Sequence, residues 1–176
     1  MSAAAATATA TATATASEAE RRTFLLQRVQ PAMTGLIDGS LSTLAPIFTV
    51  ALATQRPHYA FFAGLATSIG AGVSMTFSEG LSDTGDVTGR GNPFLRGSIT
   101  GFATFLGGIL HSMPFLVANY HVALVLAVCV VALELVVLAI LRWRFFGTSF
   151  LRSFASIALG GAIITLVAVA LGRAAG

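Results

Sequence analysis

Five stretches of about twenty residues hold almost no charge, and this restricts the chain more than any single motif does. They run at roughly 33–54, 59–79, 97–118, 121–141 and 150–172. A helix rises about 1.5 Å per residue, so about twenty apolar residues cross the roughly 30 Å hydrocarbon core of a bilayer. The fourth stretch, HVALVLAVCVVALELVVLAIL, is the clearest case. Only 10% of the 176 residues are charged and 55% are hydrophobic, with a mean hydropathy of +0.83. A water-soluble domain is about a quarter charged. The expectation is an all-α integral membrane protein with five transmembrane helices in the lipid bilayer. Walker, HExxH, CxxC and Gly-x-Ser-x-Gly patterns are all missing, so an enzyme is not expected.

The links support the same reading. TQRPH joins the first two spans, and a few residues around Asn119 and Tyr120 join the third and fourth. The link between spans two and three, GLSDTGDVTGRGNPFLR, is longer and Gly-rich. All ten basic residues are Arg, and they flank the apolar runs. The sequence pI near 10.0 therefore points to membrane topology rather than nucleic acid. Arg21, Arg22, Arg28, Arg90, Arg96, Arg142, Arg144 and Arg152 fall on one side, against Arg56 and Arg173 on the other. This bias places the amino end in the cytosol and the carboxyl end outside or in a lumen. Residues 1–17, mostly alternating Ala and Thr, read as a disordered tail without the basic-then-apolar pattern of a secretory signal. Residues 18–30 read as a short interfacial helix, and 31–173 as the membrane domain. Cys129 stands alone in an apolar run, which excludes a disulfide framework and suggests a small buried hydrophobe.

Ionisable groups inside spans cost a few kcal/mol on insertion scales, so each asks for a reason. Asp38 lies in the first span with Thr34 and Ser42 one turn away and Ser40 and Thr43 nearby. Pro46 lacks an amide donor and frees the Ser42 carbonyl. Carboxylate, hydroxyls and a free carbonyl suit a hard metal ion or a proton. The plainer alternative is an acid paired with Arg or a hydroxyl for packing. In GAGVSMTFSEG of the second span, Met75 and Glu79 are one turn apart. Sulfur and carboxylate together suit Fe²⁺ or a similar first-row divalent ion. Alternatively, Met75 fills the core and Glu79 reaches the interface. His111 and Glu134, in the third and fourth spans, read either as a structural donor and a structural pair or as proton-coupling groups. Asp83 and Asp86 read as solvated loop acids or as collectors of cations at the cytosolic mouth. Rows of small residues, Gly35/Gly39 in the first span and Gly64/Ser68/Gly72 in the second, favour close helix contacts.

Taken together, GLIDGSLSTLAPIF and GAGVSMTFSEG resemble the first- and second-helix motifs of the vacuolar iron transporter family. The resemblance covers roughly 31–172. It is closest to the membrane half of bacterial membrane-bound ferritin-type exporters, which carry forms of DVTGRGNPFLRG, GGILHSMPFLV and the LEL of the fourth helix. The resemblance implies a homodimer with an ion path between subunits and Asp38 and Met75 as the mid-membrane metal site. It implies proton-coupled export of Fe²⁺, and of Mn²⁺, from the cytosol, with no permanently bound cofactor. In a bacterium this places the chain in the inner membrane. The metal residues are then Asp38, Met75 and Glu79, with Ser42, Thr43, His111 and Glu134 along the ion path or proton route. Two departures stand out. The plant-type cytosolic insertion shrinks to the seventeen-residue link, and an Ala/Thr tail stands where bacterial relatives have a ferritin-like domain. Iron delivery then falls to a separate protein. The alternative is a membrane scaffold that transports nothing itself and works with such an iron-binding partner.

Overall fold

The computed structural model describes residues 15–176; the proposed tail falls mainly outside them, at 1–14. Five helices account for nearly all of the described chain: α1 (Thr15–Thr54), α2 (Pro57–Gly80), α3 (Pro93–Leu116, its last turn a tight 3₁₀ turn), α4 (Tyr120–Phe146) and α5 (Phe150–Ala175). Each is long and apolar enough to cross a membrane, and no strand occurs among the described residues. Ser17 and its neighbours, read as tail, are already helical.

Residues 18–30 do not form a separate helix. They run into the first span as a single rod of 40 residues, joined by a π-helical stretch at Leu25–Val29. There the Gln30 amide donates to the Leu25 carbonyl, five residues back. Pro31 follows directly, with no amide of its own and a ring that crowds the carbonyl four residues before it. Widening the preceding turn relieves that crowding. At about 1.5 Å per residue the rod is about 60 Å long, twice the hydrocarbon thickness. Its first ten residues are all exposed.

Local chemistry sets the other ends. Pro57 and Pro93 occupy first-turn positions, where the missing amide is harmless. Asn92 and Asn119 cap α3 and α4, accepting from the Leu95 and Val122 amides at 3.1 Å each. Gln55 turns the α1–α2 hairpin in the left-handed region, at φ 52°. Gly147 does the same between α4 and α5, at φ 63°.

α3 is the most enclosed helix, packed against α1 and α2. The approach is close enough that a methyl group at Gly39 would overlap the Thr104 carbonyl, and one at Gly101 the Thr76 side chain. Small residues let the backbones meet, the usual means of helix association where lipid supplies no hydrophobic drive. Away from the arginine-rich end, Leu44, Ile47, Phe48 and Ala51 of α1 pack on Ala60, Phe115, Ala123, Ala127 and Ala168. The Phe48 and Phe115 rings meet edge to face at 6.4 Å. At the arginine-rich end, Val29 and Met33 pack on Leu138 and Ile157. α4 is apolar all round and exposes Val125, Val128, Leu133 and Ile140. Cys129 lies on this exposed surface, not in the core expected of it, because α4 is buried mainly along its Ala123/Ala127/Glu134/Leu138 stripe.

Candidate ion path and buried charge clusters

The site residues named from the sequence fall into three groups that do not meet at one point. Among the described residues, no three His, Cys, Asp or Glu side chains converge as a metal site.

The first group lies along the outer face of α1. Asp38 is half-buried and makes no hydrogen bond or ion pair among the described residues, while Thr34 and Ser42, one turn to either side, are exposed. Ser40, Gly39 and Thr43 turn the other way, into the bundle. Pro46 lies one turn further along the same helix, so the Ser42 carbonyl has no amide four residues on. Met75 on α2 is half-buried beside exposed Ser74 and Ser78. Asp38 stands sixteen residues before the end of α1 and Met75 eighteen after the start of α2. Their depths, about 24 and 27 Å from the shared hairpin, nearly coincide.

The second group is buried in the bundle. Glu134 of α4 reaches both α1 and α3. The Ser40 hydroxyl donates to Glu134 Oε1 at 2.6 Å, and His111 Nε2 stands 2.7 Å from Oε2. The histidine contact meets ion-pair distance but lies off the line of a hydrogen bond, so Oε2 has no directional partner. Thr43, whose hydroxyl donates to the Gly39 carbonyl at 2.9 Å, lies 3.5 Å from His111 Nδ1. Ser40 and His111 are 2% and 1% exposed, so water is excluded from the pair. Ser112, next along α3, buries its hydroxyl without a partner among the described residues. Sequence reading placed Ser40 only in the neighbourhood of Asp38. The alternation of inward Ser40 and outward Asp38, two residues apart on a 3.6-residue period, separates their roles.

The third group closes the arginine-rich end. Glu79 and Asp83, at the end of α2 and one turn on, face Arg90 of the α2–α3 link and Arg96 of α3. Arg90 donates to Glu79 Oε1 at 2.5 Å and to Asp83 Oδ2 at 3.1 Å. Arg96 donates to Glu79 Oε1 through Nε and to Asp83 Oδ1 through Nη1, both at 3.1 Å. Four charges thus form a neutral ring. Slight burial pushes the Asp83 carboxyl up, but hydrogen bonds from Arg96 and Thr88 and the Arg96 charge outweigh it and hold Asp83 below its ordinary value. Arg96 is 0% exposed and also reaches the Glu79 and Asp83 carbonyls and the Ser82 hydroxyl. Asp86, named with Asp83 as a cation collector, is exposed and stands outside the ring. Read from sequence, Arg90 and Arg96 were topology signals. The usable sign was two acids one turn apart followed by two arginines within a single short link.

The class defined by this fold is an all-helical chain with five helices compatible with a multi-pass membrane protein. Comparison of the chain with protein-family models, with curated proteins and with solved structures finds no match.

Proposed function

We propose that this protein exports a divalent metal ion, Fe²⁺ and also Mn²⁺, from the cytosol in exchange for protons, along a path between two copies of the chain. The observation that carries the reading is Asp38, an acid inside an apolar helix with no partner among the described residues and exposed hydroxyls one turn either side. Lipid is a poor solvent for such a face. A second copy placed against it brings two Asp38 carboxylates together. Two like charges at close range disfavour full ionisation, and a divalent cation or a shared proton relieves them. Exchange of one for the other is antiport. Met75, at a matching depth on the adjoining helix, supplies a softer ligand that selects borderline first-row ions over Mg²⁺. Ser42 and its free carbonyl line the next turn. The His111–Glu134 pair, with Thr43 beside it, offers a proton site apart from the metal ligands. The likeness of GLIDGSLSTLAPIF and GAGVSMTFSEG to the vacuolar iron transporter motifs supports the same assignment. So does the arginine bias, with the amino end in the cytosol and the membrane a bacterial inner membrane.

The scaffold reading has one observation in its favour: within a single chain the ring of arginines holds Glu79. Fe²⁺ flux into proteoliposomes under an imposed pH gradient separates the two. Wild type should show gradient-driven flux and Asp38→Asn should lose at least about tenfold of it, the loss expected when a charged ligand becomes a neutral isostere. Full flux in Asp38→Asn overturns the site. A folded wild type without flux favours the scaffold.

A further inference from the structure

We propose that Glu134 holds a proton of its own in this conformation, and that the Ser40 hydroxyl relays the presence of that proton to the turn of α1 that carries Asp38. The inference rests on the transport reading above and names the residue through which its two ions are coupled.

A hydroxyl carries one hydrogen, and Ser40 has two acceptors for it. Its Oγ lies 2.6 Å from the Leu36 carbonyl, four residues back in α1, and 2.6 Å from Glu134 Oε1 on α4. Both contacts are at the short end of the O–H···O range. One hydrogen shared between two acceptors would lengthen both, and two oxygens this close with no hydrogen between them repel. A second hydrogen is needed, and of the three oxygens only Glu134 Oε1 can supply it. Oε1–H then donates to Ser40 Oγ, and Ser40 donates to the Leu36 carbonyl. The neighbouring inner hydroxyls follow the same habit. Thr43, Ser68, Thr100 and Thr104 each donate to the carbonyl four residues back, at 2.7–3.0 Å.

The surroundings of Glu134 fit a neutral acid. His111 Nε2 stands 2.7 Å from Oε2 but off the line of a hydrogen bond, so an ionised carboxyl would have Ser40 as its one directional donor. A buried carboxylate so poorly served is costly, and a carboxylic acid is far less so. Among the described residues the other charged groups stand off. Asp38 lies on the opposite side of α1, and Arg96 is four turns from His111 on α3. His58 and Glu79 lie at the two ends of α2, and Arg152 and Arg173 at the two ends of α5. On α4 itself His121 and Arg142 are at least two turns away.

Ser40 and Asp38 belong to one turn of α1 and face opposite ways. Donation by a hydroxyl to the carbonyl four residues back often bends a helix. When the proton leaves Glu134, the acid goes from neutral to a charge of minus one, and the Ser40 hydrogen turns from the Leu36 carbonyl to Oε1. The contact between Ser40 Oγ and the Leu36 oxygen, now without a hydrogen, opens. The inner side has no room for this. A Cβ at Gly107 would come within 2.7 Å of the Leu36 carbonyl, and one at Gly39 within 2.0 Å of the Thr104 carbonyl. The turn therefore yields toward its outer face, where Asp38 is half-buried beside exposed Thr34 and Ser42. Proton release inside the bundle thus adjusts the metal ligand on its outside.

The first test is the infrared spectrum of the purified full chain at neutral pH, wild type minus Glu134→Gln. It should contain the carbonyl band of a protonated carboxyl group, falling in frequency in D₂O. In Ser40→Ala the band should rise in frequency, because the acid O–H has lost its acceptor. Glu134→Gln should fold, since its amide can donate to Ser40 as the acid does. A wild type without the band overturns the proton on Glu134, and this reading needs no transport. The second test is Mn²⁺ uptake into proteoliposomes, as the ratio of uptake with and without an imposed pH gradient. The ratio should be about tenfold in wild type and below about twofold in Ser40→Ala and Glu134→Gln. Glu134→Gln carries this reading if Ser40→Ala does not fold. An unchanged ratio in these variants, with uptake still lost in Asp38→Asn, overturns the coupling and leaves the transport reading standing. A wild type with the band and no uptake overturns both and leaves only the proton on Glu134.

Discussion

Glu134 illustrates how a membrane interior sorts charge. Its oxygens are divided between the Ser40 hydroxyl and the His111 ring, so removing either partner strands one oxygen of the buried carboxyl group. Breaking a buried pair from one side is strongly destabilising, whereas replacing both sides with apolar groups is often neutral. His111→Leu should therefore cost about 3 kcal/mol in a reversible detergent unfolding assay, and His111→Leu/Glu134→Leu should recover most of it. A double variant as unstable as the single would show that the pair is held for something other than mutual compensation. Asp83 carries the pH dependence outside the membrane. Because its carboxyl is held below the ordinary value, its stabilising share is complete above the unfolded pKa, about 3.9, and fades as pH falls through the lower folded value. Hydrogen exchange of the α2–α3 link, corrected for intrinsic pH dependence, should stay flat from neutral pH to about pH 4 and quicken only below it. Loosening already at pH 6 would point to another group.

Helices, rather than side chains, are what the sequence made most legible. The five apolar runs translate into five helices because no other backbone satisfies its own hydrogen bonds in lipid. Their starts read one to four residues late, at 59, 97 and 121, because apolar runs do not register the polar first turns set by Pro57, Pro93 and Asn119. The rod formed by 15–54 could not be read at all, since its junction is a π stretch adjusted to Pro31 and leaves no periodic signature. Nor could the exposure of Cys129, because α4 is apolar on every face apart from Glu134 and composition alone does not say which side is covered. For the sites, the acids and the histidine were visible as anomalies, while their partners were not, since Ser40–Glu134 and Glu79–Arg96 span 94 and 17 positions. At this scale the sharpest test is steric. Gly39→Ala places a methyl against the Thr104 carbonyl, and overpacking of this kind should cost on the order of 2 kcal/mol. Gly70→Ala, where a Cβ meets nothing within 4 Å, should leave the stability of the isolated chain unchanged. Equal effects would mean that α1 and α3 do not pack as described.

For the molecule as a whole, the polar face of α1 makes a distinct demand on assembly. Ser42 is exposed and Asp38 half-buried along a helix otherwise wrapped by α2, α3 and α5. If two copies meet there, Ser42→Cys in a Cys129→Ser background should form a disulfide-linked dimer in native membranes under mild oxidant. A cysteine introduced at Val125, exposed on α4, should not. Cross-linking through Val125 alone would move the subunit contact to the α4 surface and away from Asp38.

The π stretch in α1 bears on how the protruding arm is aimed. Such a stretch amounts to one residue more than the helix needs. Five residues at the wide π pitch sweep nearly the same arc as four at the ordinary pitch, so deleting one residue between Leu25 and Val29 would restore the ordinary winding and leave the bearing of everything before it almost unchanged. Nothing in the bundle would have to shift. The wide turn thus keeps the arm's compass bearing fixed to the membrane part while the chain carries a surplus residue. A single deletion there can be absorbed without re-aiming whatever lies upstream and without disturbing the residues around Asp38.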